Sequence, residues 1–374
     1  MLQRKSFSYT HKLGKKTRSV FDRLLFISVI VLALFGLLAV FNSSVVSAFR
    51  EFGDSYYFIK NQAVFLVLGT ILMFVVSRFP YRNWYKLAIP LLFITLILLL
   101  AVFIPGIGIR ALGAKRWIDL GFFSIQPTEI AKLVLVVYLS AWFANREKNR
   151  FVPFLVLLGL VVGLIILQPD LGTAVIISAI AVVLYFVSEA PLVHFLLLIP
   201  AGLLGLGVLA IAAPYRLARI TTFLNPNNDP LGSSYHIRQV LLALGSGGLF
   251  GVGIGKSRQK YEYVPEANTD SIFAIIGEEI GFVGAFVLIA IFMFIAYRSF
   301  RVARRAPDRF GRLLGTGIAA WFTIQTLINL GAMVALVPLT GVPLPLVSYG
   351  GSNLLMMMIG FGILLNISRH AKSI

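Results

Sequence analysis

The apolar stretch DRLLFISVIVLALFGLLAVFN, residues 22–42, indicates the class of fold. As a helix it is long enough to cross the roughly 30 Å hydrocarbon core of a bilayer, which needs about 20 mainly apolar residues. Nine further segments have the same character: 61–78, 86–104, 128–145, 152–168, 171–188, 191–213, 271–297, 313–337 and 347–367. The sequence therefore predicts an all-α integral membrane protein with ten transmembrane helices.

The composition agrees with a membrane protein. Of the 374 residues, 58% are hydrophobic and 13% are charged, whereas soluble domains carry about 25% charged residues. The net charge of +18 could suit nucleic acid, but its placement favours membrane orientation, so no nucleic-acid partner is expected. The absence of cysteine excludes disulfides, a thiol nucleophile and zinc–cysteine sites, and the four scattered histidines suggest no histidine-based metal site.

The distribution of lysine and arginine predicts the topology. These residues concentrate in a basic tail, residues 1–21, and in the connections after the second, fourth and eighth spans. Cytoplasmic loops carry such an excess, and an even number of spans puts both termini on one side, so both termini are predicted to be cytoplasmic. Residues 22–370 then form one ten-span domain with outer loops 105–127 and 214–270, the larger one between the seventh and eighth spans.

Both outer loops nevertheless contain bases: Arg110, Lys115, Arg116, Arg216, Arg219, Arg238, Lys256, Arg258 and Lys260. Two interpretations stay open. Long loops escape the positive-inside bias, and their bases can reach lipid headgroups. Alternatively, the bases form an outward-facing site for an anionic, phosphorylated ligand.

The glycine-rich stretch GSGGLFGVGIGKS, residues 245–257, resembles a nucleotide-binding loop but does not match one. A phosphate-binding loop needs a glycine five residues before Gly255, and that position is Phe250. The stretch also falls in a predicted outer loop. Its glycines therefore indicate closely packed loop backbone.

Carboxylates stand at the start of the eighth span and inside it, in YVPEANTDSIFAIIGEE, residues 263–279. Asp270 either caps this helix or lines a site at its outer end. Glu278 and Glu279 follow about 12–14 Å further along the helix. Acids at that depth cannot face lipid, so this span is predicted to line a polar cavity that opens outward.

Two other motifs bring charge close to the bilayer. In QPTEIAK, residues 126–132, Glu129 and Lys132 are three positions apart, so they can pair on one face of the fourth span. The pair is either a structural ion pair or part of a functional site. Asp170, in the QPD sequence, is predicted to cap the sixth span. These residues leave two classes open, a transporter or an enzyme acting on a lipid-linked anion.

Three long motifs resemble one known family, SEDS (shape, elongation, division and sporulation), which contains FtsW and RodA. They are AKRWIDLGFFSIQPTEIAK at 114–132, the segment 223–284 that runs from FLNPNNDPLG to GEEIGFVG, and PLTGVPLPLVSYGGSNLL at 338–355. The SRQKY and LLNISRH sequences resemble the FtsW/SpoVE branch more than RodA. Asn268 and Ser271 depart from the family's usual histidine and phenylalanine, while the aspartate between them is kept.

The resemblance implies a peptidoglycan glycosyltransferase that polymerises lipid II at the outer face of the bacterial cytoplasmic membrane. A class B penicillin-binding protein would supply crosslinking, and other divisome proteins would accompany it at the division septum. Three alternatives stay open: a RodA-type polymerase for elongation, a lipid II flippase, and a non-catalytic division scaffold.

The resemblance also implies residue roles. Asp270 would be the catalytic base that takes the proton of the acceptor hydroxyl. Glu266 would tune Asp270 or hold a cation such as Mg²⁺ or Mn²⁺, while Ser348 and Tyr349 would line the site. The pyrophosphate would be bound by Arg116, Lys256, Arg258 and Lys260. The cavity would be shaped by Glu129, Lys132, Glu278 and Glu279.

Overall fold

The computed structural model describes residues 21–371 apart from 112–113, 120, 122, 146, 148, 226–231, 233 and 262. The predicted basic tail lies outside the described residues except for Phe21. The helices of the described part are α1 Arg23–Phe52, α2 Tyr57–Arg78, α3 Asn83–Ala101, α4 Pro127–Ala144, α5 Phe151–Leu167, α6 Leu171–Val187, α7 Leu192–Ile211, α8 Pro214–Leu224, α9 Tyr235–Ser246, α10 Ile272–Arg304, α11 Arg309–Met333 and α12 Gly351–His370.

Each of the ten predicted spans coincides with a helix, namely α1 to α7 and α10 to α12. Eight of these are long and apolar enough to cross a membrane, while α5 and α6, with 17 residues each, are shorter. Two of the predicted helix starts are confirmed in detail. Pro127 occupies the first turn of α4, and the carboxylate of Asp170 caps α6 by accepting from the amide of Thr173 at 3.0 Å.

The helices differ sharply in how much they are buried. Most side chains of α4, α11 and α12 are buried, and these helices form the centre of the bundle. In contrast, α7 is apolar apart from His194 and buries only Phe195 and Ala210. Such a helix would be unstable in water but is stable in lipid. The chain is therefore a multi-pass helical membrane protein.

The chain is mainly helical, as predicted, and one small sheet adds to the predicted architecture. Strands β1 Gly108–Ala111, β2 Ala114–Asp119 and β3 Ser124–Ile125 form an antiparallel meander in the predicted outer loop 105–127. Strands this short carry little periodicity, so the sequence did not reveal them. The larger loop, 214–270, likewise contains α8 and α9, which were predicted only as loop.

Helix α10 is broken at Gly281, whose φ of 67° and ψ of −172° are not helical. The break frees backbone carbonyls that must find other partners, because unpaired groups are costly in a membrane. The carbonyl of Glu278 accepts from the amide of Val252 at 3.0 Å, and that of Glu279 from Gly253 at 3.1 Å. The glycine-rich loop therefore completes the hydrogen bonding of the helix.

The same loop also accepts hydrogen bonds from α10. The amides of Phe282 and Val283 donate to the carbonyls of Gly248 at 2.9 Å and Leu249 at 3.1 Å. Gly251 has a φ of 82°, and a Cβ there would clash with a backbone carbonyl of α10. Only glycine therefore allows this close approach of loop and helix.

Candidate functional site

Asp270 lies in the turn that precedes α10 and is held through its backbone. Its carbonyl accepts a hydrogen bond of 2.8 Å from Nδ2 of Asn329 on α11. The same amide group donates to the carbonyl of Val342 at 2.7 Å. Asn329 therefore fixes the turn against the segment 334–350 that connects α11 to α12, and the side chain of Asp270 is left 8% exposed.

The carboxylate of Asp270 receives little hydrogen bonding. The helix α10 is capped by Ser271 without a side-chain bond, so the capping role considered for Asp270 is wrong. Thr269 Oγ1 lies 3.4 Å from Asp270 Oδ1, at the limit of a hydrogen bond. The same hydroxyl lies 2.7 Å from Glu266 Oε2. A hydroxyl has one proton to donate, and the shorter distance assigns it to Glu266.

These surroundings raise the pKa of Asp270 to about 7. Burial is the largest cause, because it disfavours the charged form, and the negative charge of Glu266 adds to it. A hydrogen bond from the backbone amide of Asp270, the positive charge of Arg219 and the hydroxyl of Thr269 partly offset this effect. Near neutral pH the carboxyl group is therefore present in both protonation states, as a general base requires.

Arg219, on α8, is the cation that the structure places near Asp270. Its Nη1 donates to the carbonyl of Leu339 at 3.0 Å. Both this nitrogen and Asp270 Oδ2 lie 3.9 Å from the position that a Cβ on Gly341 would occupy. The absent side chain at Gly341 thus leaves a small space bordered by a carboxylate and a guanidinium.

His236, on α9, contacts the turn of Asp270 through the neighbouring Ser271. Its Nε2 lies 2.7 Å from the hydroxyl of Ser271. Burial and the positive charge of Arg219 lower the pKa of His236 to about 4, so the imidazole is neutral at pH 7. It can therefore exchange a hydrogen bond with Ser271 but adds no charge beside Asp270.

Ser348 and Tyr349 hold the connection between α11 and α12 in place. The hydroxyl of Ser348 accepts from the amide of Leu344 at 2.8 Å. The amide of Tyr349 donates to the carbonyl of Asn268 at 2.8 Å, which joins this connection to the turn of Asp270. The Tyr349 ring packs edge-on against Phe58, with 4.9 Å between centroids.

Arg116 is engaged with backbone rather than with Asp270. Its guanidinium, projecting from β2, donates to the carbonyl of Gln168 at 3.0 Å and to that of Pro169. The hydroxyl of Tyr215, on α8, lies 3.5 Å from the Pro169 carbonyl. Arg116 therefore connects the small sheet by hydrogen bonds to the turn between α5 and α6.

Lys260 is also committed elsewhere. Its ammonium donates to Asn42 Oδ1 at 3.1 Å and to the Gly255 carbonyl at 2.6 Å, and it lies 3.7 Å from Glu279 Oε1. Glu279 is nine residues beyond Asp270, about 13 Å along the helix. Lys260 is therefore part of an ion pair deeper in the bundle.

The two remaining predicted cations, Lys256 and Arg258, have exposed side chains. Glu278 is buried and accepts from the hydroxyl of Ser257 and from the amides of Arg258 and Gln259, the amides at 3.2 and 3.4 Å. Glu278 thus binds the loop that carries these cations to α10.

Glu129 and Lys132 form the predicted ion pair inside α4, with 2.7 Å between Oε1 and Nζ. Lys132 also donates to Gln325 Oε1 at 2.9 Å and faces the ring of Trp321. Glu129 Oε2 and the hydroxyl of Thr128 are buried and have no hydrogen-bond partner among the residues that the structure describes. The pair therefore connects α4 to α11 and leaves acceptor capacity unused.

No group of three or more metal-ligating side chains occurs within the described ranges. The turn of Asp270 does bring two carboxylates together, because Thr269 lies within hydrogen-bond reach of both Asp270 and Glu266. Mg²⁺ is commonly held by one or two carboxylates together with substrate phosphates. If a divalent cation binds at this turn, Glu266 and Asp270 are the side chains that would hold it.

Sequence reasoning placed the carboxylates at the mouth of α10 but did not select Arg219 or His236. Arg219 was one of nine bases in the outer loops, and no motif distinguished it. Its role depends on where α8 packs, which periodicity alone does not give. The proximity of an acid and a base in separate segments becomes known only from the tertiary structure.

Comparisons with known proteins agree with this fold. The family model FTSW_RODA_SPOVE, described as "Cell cycle protein", matches residues 22–373. Stage V sporulation protein E of Bacillus subtilis (strain 168) is 42% identical over 357 residues, which cover 94% of this chain and 98% of that protein. The probable peptidoglycan glycosyltransferase FtsW of Trichlorobacter lovleyi is 40% identical over 362 residues, covering 94% of each chain.

Solved structures give the same result. The rod shape determining protein RodA of Thermus thermophilus matches with a TM-score of 0.70 and 30% identity, over 95% of this chain and 98% of RodA. A chain from "Structural coordination of polymerization and crosslinking by a peptidoglycan synthase complex" matches with a TM-score of 0.76 and 30% identity, over 94% of this chain and 98% of that one. The protein therefore belongs to the FtsW/RodA/SpoVE family of cell cycle proteins.

Proposed function

We propose that this protein is a peptidoglycan glycosyltransferase that polymerises lipid II, with Asp270 as its general base. The observation that carries the proposal is the buried, sparsely hydrogen-bonded carboxyl group of Asp270, whose pKa is raised to about 7. Relatives about 40% identical over nearly the whole chain are named as probable peptidoglycan glycosyltransferases, which supports the same activity here.

In the proposed reaction, a sugar hydroxyl of the acceptor attacks the anomeric carbon of the donor. A carbon–oxygen bond forms as the bond from that carbon to the pyrophosphate breaks, and the hydroxyl proton passes to the carboxylate of Asp270. Undecaprenyl pyrophosphate leaves as an anion. Because pyrophosphate is a good leaving group, one carboxylate suffices, unlike the pair used by glycosidases.

The chain's cations would stabilise the charge that develops on the leaving group. Arg219 is suitable because its guanidinium borders the space beside Asp270. Lys256 and Arg258 are exposed and could bind phosphate at the rim. If a divalent cation such as Mg²⁺ or Mn²⁺ binds, Glu266 and Asp270 would hold it and it would neutralise pyrophosphate charge.

The proposed topology has ten spans with both termini in the cytoplasm. The shorter helices α5 and α6 would then cross the membrane as a pair, and the turn of Asp270 would lie on the outer side. The excess of arginine and lysine in the connections after α2, α4 and α10 supports this orientation. Lipid II presented in the outer leaflet could then reach Asp270.

The proposed partner is a class B penicillin-binding protein, which would crosslink the new strands. Similarity to a chain from a structure that coordinates polymerization and crosslinking supports such an assembly. A role at the division septum, together with other divisome proteins, is supported by identities of 38–42% to proteins named FtsW and SpoVE. A RodA-type role in elongation is the second possibility within the same chemistry.

The decisive experiment uses the full-length protein with its cognate penicillin-binding protein and labelled lipid II. Asp270→Asn should reduce polymerisation by about 10²–10⁴-fold, the usual contribution of general base catalysis. Asp119→Asn is the matched control, because Asp119 is an exposed aspartate of the outer sheet. It should polymerise at the wild-type rate.

The outcomes separate the alternatives. A scaffold would give no polymer with the wild type and would keep its partner binding in Asp270→Asn. A flippase would move the lipid II headgroup across vesicles without producing polymer. Equal polymer from the wild type and Asp270→Asn would refute the assigned mechanism.

A further inference from the structure

A groove runs along the surface between α1 and α10, on the part of the bundle that faces lipid. It encloses about 370 Å³, and its lining is apolar apart from Ser28, with Ile27 and Val31 contributed by α1 and with Phe286, Ala290 and Phe294 contributed by α10. The small side chain of Ala290 leaves room between the larger ones. An acyl chain has this shape and polarity.

A second cavity, of about 480 Å³, lies at the C-terminal end of α10. Its lining, among the described residues, consists of Tyr297, Phe300, Arg301, Arg304 and Arg305. Two aromatic side chains and three guanidinium groups therefore surround one space. Aromatic rings next to cations are typical of the membrane–water interface.

The two cavities lie on one face of α10. Ala290, Phe294, Tyr297, Arg301 and Arg304 follow one another at intervals of four, three, four and three residues, which is the spacing of a single helix face. From Ala290 to Arg304 the helix rises about 21 Å. This length exceeds one leaflet of the hydrocarbon core, about 15 Å, by roughly the depth of a headgroup.

The arginines of this cavity are not neutralised within the described chain. Neither Arg301, Arg304 nor Arg305 has an ion-pair partner there, whereas the nearby Arg298 pairs with Asp22 at 2.6 Å. The N-terminal residues 1–20 contain no aspartate or glutamate, so that segment cannot supply the missing charge. The cavity therefore presents a concentrated positive charge where an anion can reach it.

We propose that this face of α10 is a binding site for an anionic glycerophospholipid. One acyl chain lies in the groove beside Ala290, and the headgroup phosphate binds among Arg301, Arg304 and Arg305. Guanidinium groups bind phosphate through paired hydrogen bonds, and basic clusters at the cytoplasmic surface attract anionic lipids. A transmembrane helix of a partner could fill the apolar groove, but it would leave the three arginines without an anion.

The proposed lipid site is independent of the proposed enzymatic activity and is tested by binding measurements, without any assay of polymerisation. Native mass spectrometry of the full-length protein, titrated with phosphatidylglycerol or phosphatidylcholine, measures each affinity. Combined Arg301→Gln, Arg304→Gln and Arg305→Gln should weaken phosphatidylglycerol binding at least fivefold and leave phosphatidylcholine binding unchanged. The exposed single variant Arg304→Gln should weaken it about twofold, so the test does not depend on the triple variant folding.

A matched triple variant controls for charge alone. Arg78→Gln, Lys86→Gln and Arg312→Gln remove three cations from other helix ends on the same side of the bundle, and phosphatidylglycerol binding should stay within twofold of wild type. Ala290→Trp should fill the groove and lower the affinity for both lipids, whereas Leu196→Trp, on the exposed face of α7, should not.

Two results would overturn the proposal. Equal weakening in both triple variants would mean that the protein attracts anionic lipid only through its overall charge. Loss of the penicillin-binding protein from Ala290→Trp, with phosphatidylglycerol binding intact, would mean that the groove holds a partner helix. Both results are read from variants whose thermal unfolding in lipid-free detergent matches the wild type, so that misfolding does not explain the change in binding.

Discussion

Asp270 and Glu279 are both buried carboxylates, nine residues apart at the N-terminal end of α10, yet their surroundings differ. Glu279 accepts hydrogen bonds from Asn42 and from the amide of Ser257, and it lies 3.7 Å from the ammonium of Lys260. Among the described residues, the carboxylate of Asp270 has as donors only its own backbone amide and a hydroxyl at 3.4 Å. Burial with several donors makes a carboxylate structural, whereas burial with few donors leaves it free to exchange a proton near neutral pH.

The largest effect on stability is expected for Glu279, the carboxylate with several donors. Glu279→Ala would leave Lys260 buried and without its carboxylate, and breaking a buried pair in this way typically costs about 3–5 kcal/mol. We expect a large loss of folded protein, measured by thermal unfolding in detergent. Glu279→Gln keeps an acceptor for Asn42 and should lose less. A melting temperature of Glu279→Ala within about 2 °C of wild type would contradict the structural role.

Asp270 should behave in the opposite way when its charge is removed. Because its pKa is raised from 3.8 to about 7 in the folded protein, the folded state holds the proton more tightly than the unfolded state does. That stabilisation is complete below about pH 3.8 and is lost as the pH rises through about 7.

Asp270→Asn stays neutral at every pH and avoids this loss. Its stability relative to wild type should therefore grow between pH 5 and pH 8.5, by on the order of 1–4 kcal/mol. Melting temperatures at several pH values test this. An exposed control, Asp119→Asn, should show no such growth. A stability difference between Asp270→Asn and wild type that does not change with pH would contradict the raised pKa of Asp270.

Two neighbours should move the pH dependence of polymerisation in opposite directions. The negative charge of Glu266 raises the pKa of Asp270 and the positive charge of Arg219 lowers it. Activity that needs ionised Asp270 should therefore begin to rise at lower pH in Glu266→Gln and at higher pH in Arg219→Gln. Initial rates from pH 5 to 9 test the shift, with Lys115→Gln as an exposed control. Shifts in the same direction would show that Asp270 is not the titrating group.

The smallest expected effect concerns the space beside Asp270. Gly341→Ala places a methyl group 3.9 Å from Asp270 Oδ2 and Arg219 Nη1, at a φ of 68°. We expect a rate about three- to tenfold lower and a loss of about 1 kcal/mol in stability from the strained backbone. Gly53→Ala shares the strain, with a φ of 69° and no neighbour within 4 Å, and should keep full activity. Equal rates in the two variants would place the reacting groups away from Gly341.

Much of the fold could be predicted from the sequence because apolar runs of about 20 residues have few alternatives to crossing a membrane. The ten segments were identified for this reason, as was the Glu129–Lys132 pair, whose spacing of three residues is local. The strands of loop 105–127 and the amphipathic helices α8 and α9 were missed because short elements leave weak patterns. The bonds of Arg116 to Gln168 and of Lys260 to Asn42 were also missed, since these partners lie 52 and 218 positions away in the chain.

The candidate site likewise combines residues that are close in the sequence with residues that are far apart in it. Asp270 and Glu266 are four residues apart, so one motif contains both. Arg219 and Asn329 come from α8 and α11, 51 and 59 positions away from Asp270, and only packing brings them to it. The sequence therefore places the proposed base and Glu266 in one motif, whereas the approach of Arg219, which lowers the pKa of Asp270, depends on how α8 packs.

The break at Gly281 has a consequence for how the protein is made. Within the membrane, α10 cannot satisfy its own backbone at this point, and each unpaired group there costs several kcal/mol. Its partners, in residues 248–253, are synthesised before α10. In the proposed ten-span topology they must already be on the outer side when that helix arrives, so export of the large loop and stable insertion of α10 would be coupled steps.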